Sequence, residues 1–220
     1  MIMDMPGDWH ADLSMAQSIF NVCYTGFLDE FQDLLGWKHI NSAVSKCYFQ
    51  STRLITFVHD ELLWFFTHQF VAERTLKEGD ESLSDGQYLT MIGWELQSLL
   101  TGLNDSDDKW IATCGVFLEL AFDFLEFVDA YRIGDAVAIE YGYSKHSTVW
   151  KALCQNKYVE IFLSQQETLY RDFQFSQLQE LRMNRVVRRY HGTSGKSCVV
   201  HDEFFEHGNR FFQIFLCQSI

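Results

Sequence analysis

The stretch Lys109–Arg132, KWIATCGVFLELAFDFLEFVDAYR, decides the fold. Its run of Val116, Phe117, Leu118, Leu120, Phe122, Phe124 and Phe127 leaves one narrow charged stripe, formed by Glu119, Asp123 and Glu126. Charges three and four residues apart fall on one side of a helix. A helix that is apolar around the rest of its circumference belongs at the centre of a helical body.

The sequence on either side repeats the helical period. Leu13, Ala16, Ile19, Phe20, Cys23, Phe27, Phe31 and Leu34 predict one amphipathic helix over 12–35, closed by Gly36. Leu54, Ile55, Val58, Leu62, Phe65, Phe66 and Phe70 predict another over 52–76. Shorter helices are expected near 87–100, 135–143, 148–163, 176–190 and 202–215, with a short strand or extended segment at 197–200. Met1–Met5 reads as the end of a buried strand, turned by Pro6-Gly7. Lys77–Gly86 and Thr101–Asp108 read as polar loops, and the aspartates of the second suit a helix N-terminus.

Composition agrees with this pattern. The chain has 220 residues and a single proline, Pro6, where average usage would give about 11. Proline interrupts helix interiors, so its absence after residue 6 favours long helices. With 47% hydrophobic and 21% charged residues the chain is globular, which excludes disordered and collagenous classes. The expected fold is therefore mostly α, a bundle-like helical body with at most a few short strands, in one domain over 1–220.

Charge bears on partners. Residues 1–170 hold 10 Lys/Arg against 25 Asp/Glu, and residues 171–220 hold 7 against 5. The acidic body repels a phosphate backbone, so nucleic-acid contact would fall to the last 50 residues. Arg182, Arg185 and Arg189 sit at helical spacing and are candidate phosphate contacts; the same arginines can instead pair with the acidic body of the chain. An acidic, aromatic-rich surface also suits a protein partner. None of the six cysteines forms a C-x-x-C pair. They read as free thiols of an intracellular protein, nuclear or cytoplasmic, with no leader, no membrane-spanning run and no membrane partner.

Two motifs carry candidate chemistry. Pro6-Gly7-Asp8-Trp9-His10 places a carboxylate and an imidazole at a turn entering a helix, where they can hold a metal or a proton. Asp8 can equally be a helix cap. Asp202-Glu203-Phe204-Phe205-Glu206-His207-Gly208-Asn209-Arg210 puts Asp202, Glu206, Asn209 and Arg210 on one helix face. Two carboxylates one turn apart can hold Mg²⁺, and Glu206–Arg210 can equally be an ordinary ion pair. A zinc site from His191, Cys198, His201 and His207 matches no compact finger spacing. Nucleotide-cradling loops and the serine-hydrolase elbow are absent from the sequence.

Taken in order, PGDWH, then Met183-Asn184-Arg185-Val186-Val187, the loop His191–Gly195 (HGTSG) and D-x-x-x-E-H-x-N-R at 202–210 resemble a eukaryotic domain of unknown function. That domain is spread through animals and fungi in transposon-derived proteins, and is similar to DDE transposases with an RNase H-like core. The resemblance implies that Asp8 and Glu206 match two of three carboxylates of a two-Mg²⁺ centre. His10, Asp202, Asn209 and Arg210 would support them. The helical body would then be the helical insertion and late helix of an RNase H-like domain. The sequence departs from the family pattern where a strand bearing the first carboxylate would precede Asp8, at Arg188-Arg189, and in the apolar tail 211–220. The resemblance therefore implies a C-terminal fragment without a complete metal clamp. DNA would be a partner only alongside a further N-terminal part, and no cofactor is expected beyond Mg²⁺ at a surviving ancestral site.

Overall fold

A computed structural model describes residues 8–38, 40–75, 85–172, 174–183, 186–188 and 198–200. Nearly all of them are helical. The elements are α1 (Asp8–Cys23), α2 (Asp29–Leu34), α3 (Tyr48–Thr75), α4 (Asp85–Asn104), α5 (Lys109–Ile133), α6 (Ala136–Ala152), α7 (Asn156–Glu167) and α8 (Phe175–Met183). A short antiparallel pair follows, β1 (Val186–Arg188) with β2 (Cys198–Val200). The mostly α expectation holds, and none of the described helices is long and apolar enough to cross a membrane. The expected strand end at 1–5 and the expected helix at 202–215 lie outside the described residues.

The residues group into two compact units, Ile19–Phe122 and the remainder, 1–18 with 123–220. In the first, the amphipathic run expected as one helix is broken. Thr25 (φ −74°, ψ 121°) and Gly26 (φ 77°, ψ 12°) leave helical geometry between α1 and α2. The left-handed Gly26 is a conformation that glycine adopts without a Cβ penalty. The Asp29 carboxylate accepts from the Gly26 N–H at 2.8 Å and the Glu30 N–H at 2.9 Å, which caps the restart. The apolar period survives the break, since Phe27 and Leu28 are buried beyond it. Gly36 (φ 65°) ends α2 as expected, with the Trp37 N–H donating to the Gln32 carbonyl at 3.0 Å.

Phe27 sits at the centre of an aromatic group in this unit, 5.3 Å from Phe117 and 5.4 Å from Phe31 between ring centroids. Helix α3 buries Leu54, Ile55, Val58, Leu62 and Phe66, the period read from the sequence. Asp108 caps α5, accepting from the Trp110 N–H at 2.8 Å. Gly115 lets the end of α4 approach α5. A Cβ there would stand 2.5 Å from Asn104 Oδ1 and 2.9 Å from the Asn104 nitrogen.

In the second unit the two helices expected at 135–143 and 148–163 are partitioned differently. Asp135 caps α6 through the Val137 and Ala138 N–H groups, and α6 runs on without interruption to Ala152. The break falls at Cys154, whose φ of 57° is left-handed. Phe127, Tyr143, Trp150, Tyr158 and Phe162 then form a chain of ring contacts. Tyr143 stands 5.5 Å from Phe127 and 6.1 Å from Phe162, and Trp150 stacks 5.3 Å from Tyr158. Lys145 reaches across from α6 to Asp123 (3.0 Å) and Glu126 (2.7 Å) on α5. Burial works against its charge, but the hydrogen bonds to Glu126 and Asp123 outweigh that and raise the pKa of the ammonium.

Candidate functional site

Asp8 is the first residue of α1, so the PGDWH motif does enter a helix. His10 is exposed, and its ring meets Trp9 edge-on at 5.2 Å. Asp202, Glu206, Asn209 and Arg210 lie outside the described residues, as do His191, His201 and His207. The separation of Asp8 from Glu206, on which a shared Mg²⁺ centre depends, is thus not among the described geometry. Cys198 is the first residue of β2. Among the described residues no group of three or more His, Cys, Asp or Glu side chains could hold a metal ion.

The basic face is a correction. The expected helix over 176–190 ends at Met183, and Val186–Arg188 is a strand paired with Cys198–Val200 in the register Val186↔Val200, Val187↔Val199 and Arg188↔Cys198. Adjacent β-branched valines favour the extended backbone over another helical turn. Arg185 and Arg189 lie outside the described residues, and Arg182 is held from the helix by Glu140. Arg182 Nη2 donates to Glu140 Oε2 at 2.8 Å and Nε to Oε1 at 3.2 Å. The Tyr170 hydroxyl donates to the same carboxylate at 3.4 Å. Hydrogen bonding to Glu140 raises the Arg182 pKa, against the opposing effect of desolvation. This two-point grip on a buried carboxylate is the self-pairing alternative for Arg182.

The clamp ties α8 and the turn Thr168–Asp172 to α6. We expect the Glu140→Gln, Arg182→Gln cycle to give a coupling of about 1–3 kcal/mol in urea unfolding, between values for exposed and buried pairs. Coupling below about 0.5 kcal/mol would mean that solvent already screens the pair.

Among the buried polar groups not singled out from the sequence are Asp12, Glu140 and His146. Asp12, one turn after Asp8 on α1, is fully buried and accepts from the Tyr131 hydroxyl at 3.0 Å. Glu140 is the carboxylate of the clamp. His146 is 1% exposed, and neither ring nitrogen has a hydrogen-bond partner among the described residues. Burial pushes its imidazole down to about 4. The spacing Asp8–Asp12 was a readable signal, as one-turn carboxylates share a helix face; Glu140 and His146 gave none, because each stands among residues of mixed polarity.

Two of the thiols are quiet. Cys23 and Cys114 are buried, and burial pushes both up to about 12. A thiol so displaced is not a thiolate nucleophile at neutral pH. Cys47 Sγ lies 3.3 Å from the Ser51 hydroxyl. Comparison of the chain with protein-family models, with curated proteins and with solved structures returned no match.

Proposed function

We propose that the chain is a transposon-derived remnant of a DDE transposase-like protein, without catalytic activity of its own. The observation that carries this reading is the ordered set PGDWH, MNRVV, HGTSG and D-x-x-x-E-H-x-N-R along one chain. Two structural features are consistent with it. Asp8 stands at a helix entry, and Val186 and Val187 of the second motif pair with Val200 and Val199 in a short ladder. The two carboxylates assigned to the ancestral centre, Asp8 and Glu206, fall one short of a three-carboxylate clamp on two metals. The purified chain is expected to leave supercoiled DNA intact with Mg²⁺ or Mn²⁺. Metal-dependent nicking that disappears on Glu206→Gln would overturn the inactive assignment.

A second reading is an acidic helical protein-interaction module. It is favoured by Phe49, Trp64, Trp94 and Phe175, all more than 60% exposed on a chain of net charge −13. Exposed aromatic side chains of this size are characteristic of recognition surfaces.

A further inference from the structure

Helix α3 has two apolar faces. Leu54, Ile55, Val58, Leu62 and Phe66 form the buried one. Beside that face, Phe57 and Trp64 remain 38% and 63% exposed, and Phe65, which keeps the spacing of Val58 and Leu62, is 46% exposed where the two faces meet. Positions 57, 61, 64, 65 and 68 recur at helical spacing, so these rings form a stripe along three turns. His68 stacks on Trp64 at 5.1 Å with the planes 6° apart, and Trp37 flanks Phe57 at 6.2 Å. Of two exposed carboxylates, Glu61 lies within the stripe and Asp60, 2.9 Å from His59 Nδ1, borders it beside Trp64.

We infer that this outer face of α3 is a docking site for a basic amphipathic helix, with apolar side chains seated on Phe57, Trp64 and Phe65 and Lys or Arg opposite Asp60 and Glu61. The inference deepens the interaction-module reading and rests on it. Charge selects the occupant. Residues 19–122 carry 15 Asp/Glu against 6 Lys/Arg, so the unit as a whole attracts a cationic segment, even with Arg53 one turn before Phe57 and over the Trp37 ring at 5.6 Å. A second copy of the chain is disfavoured by the same arithmetic, because a two-fold contact centred on the stripe would bring Asp60 and Glu61 against their own equivalents.

Area argues in the same direction. A fully buried aromatic side chain covers about 150–250 Å². Three half-covered rings offer on the order of 300 Å², against roughly 800 Å² per partner in a standard interface. The stripe is sized for a short helix laid in a groove, recognised through anchors at i, i+3, i+4 and i+7.

The test uses the full chain and a labelled 18-residue peptide of leucine and lysine in helical register, with its leucine–glutamate counterpart, followed by fluorescence anisotropy in 0.15 M salt. The lysine peptide is expected to bind and the glutamate peptide not. Trp64→Ala with Phe65→Ala, and separately Asp60→Lys with Glu61→Lys, should each weaken binding at least tenfold. The second pair removes no apolar surface and so guards against misfolding of the first. Asp105→Lys with Asp107→Lys reverses as much charge at the exposed end of α4 and should change affinity less than threefold.

Binding that ignores both α3 double variants, or falls equally with the 105/107 pair, overturns the α3 site while leaving the interaction reading standing. No binding of the lysine peptide overturns both. A dimer in sedimentation that Trp64→Ala with Phe65→Ala dissociates would assign the face to a second copy instead.

Discussion

Truncating Trp150 to alanine is expected to cost about 3–5 kcal/mol of unfolding free energy, the range for emptying a buried aromatic site. Trp150 is fully buried in α6 and touches rings on three sides, Tyr143 at 6.0 Å, His146 at 5.2 Å and Tyr158 at 5.3 Å. Its neighbours are stiff rings on α6 itself and on α7, so the space left behind cannot close by rotamer changes alone. Trp150→Phe separates volume from polarity. The indole N–H has no hydrogen-bond partner among the described residues, so phenylalanine sacrifices no bond there. The phenylalanine variant should lose less than about 2 kcal/mol, the cost of a partial volume change. Urea unfolding of both variants decides the matter; equal losses would mean that the N–H is bonded after all.

The second large effect is acid sensitivity. His146 is neutral in the fold because burial pushes its pKa down to about 4, while its ordinary value is 6.5. Between those limits the unfolded chain binds a proton that the folded chain excludes. The contribution of the neutral ring is therefore complete above 6.5 and is lost as pH falls towards about 4. The interval corresponds to about 3 kcal/mol. Other groups titrate in the same range, so the measurement is a difference. Urea midpoints of the native chain and of His146→Phe, taken from pH 7 to pH 4, should diverge, with the native chain losing more. Parallel curves would show that His146 gains its proton in the folded state without penalty.

Much of the architecture was legible because core patterning reports helices well. Helix α5 runs from Lys109 to Ile133 as its apolar run required, and Asp108 caps it. The inner face of α3 follows the sequence period. What escaped was backbone geometry hidden beneath an unbroken pattern. Phe27 and Leu28 continue the apolar rhythm past Gly26, so nothing in side-chain polarity marks the left-handed residue between them. In α6, Ser144-Lys145-His146-Ser147 fall between the helices expected at 135–143 and 148–163, yet the helix runs through them. Lys145 is accommodated there by two carboxylates of α5, and His146 by the Trp150 ring. The helix reading of 176–190 failed where Val186-Val187 found a strand partner. Partners distant in sequence decide such cases, as with Arg182 and Glu140, 42 residues apart. The end motifs were legible as sequence, but their mutual geometry rests on Glu206, outside the described residues.

The break at Thr25–Gly26 also changes how the segment around it holds together. A continuous helix from Asp8 to Leu34 would share one ladder of hydrogen bonds, so fraying at either end would be resisted by the whole length. Two short lengths share only what crosses the joint, the Asp29 N–H reaching back to the Tyr24 carbonyl and the Tyr24 hydroxyl donating to Gln32 Oε1 at 3.2 Å. α1 is anchored by its buried face, whereas α2, six residues long with none of them buried, leans on its Asp29 cap and on the Gly36 turn. The joint thus acts as a firebreak for local melting: α2 can open and reclose at the loss of its Phe31–Phe27 and Gln32–Tyr24 contacts, while Phe27, just ahead of it, keeps its place against Phe117.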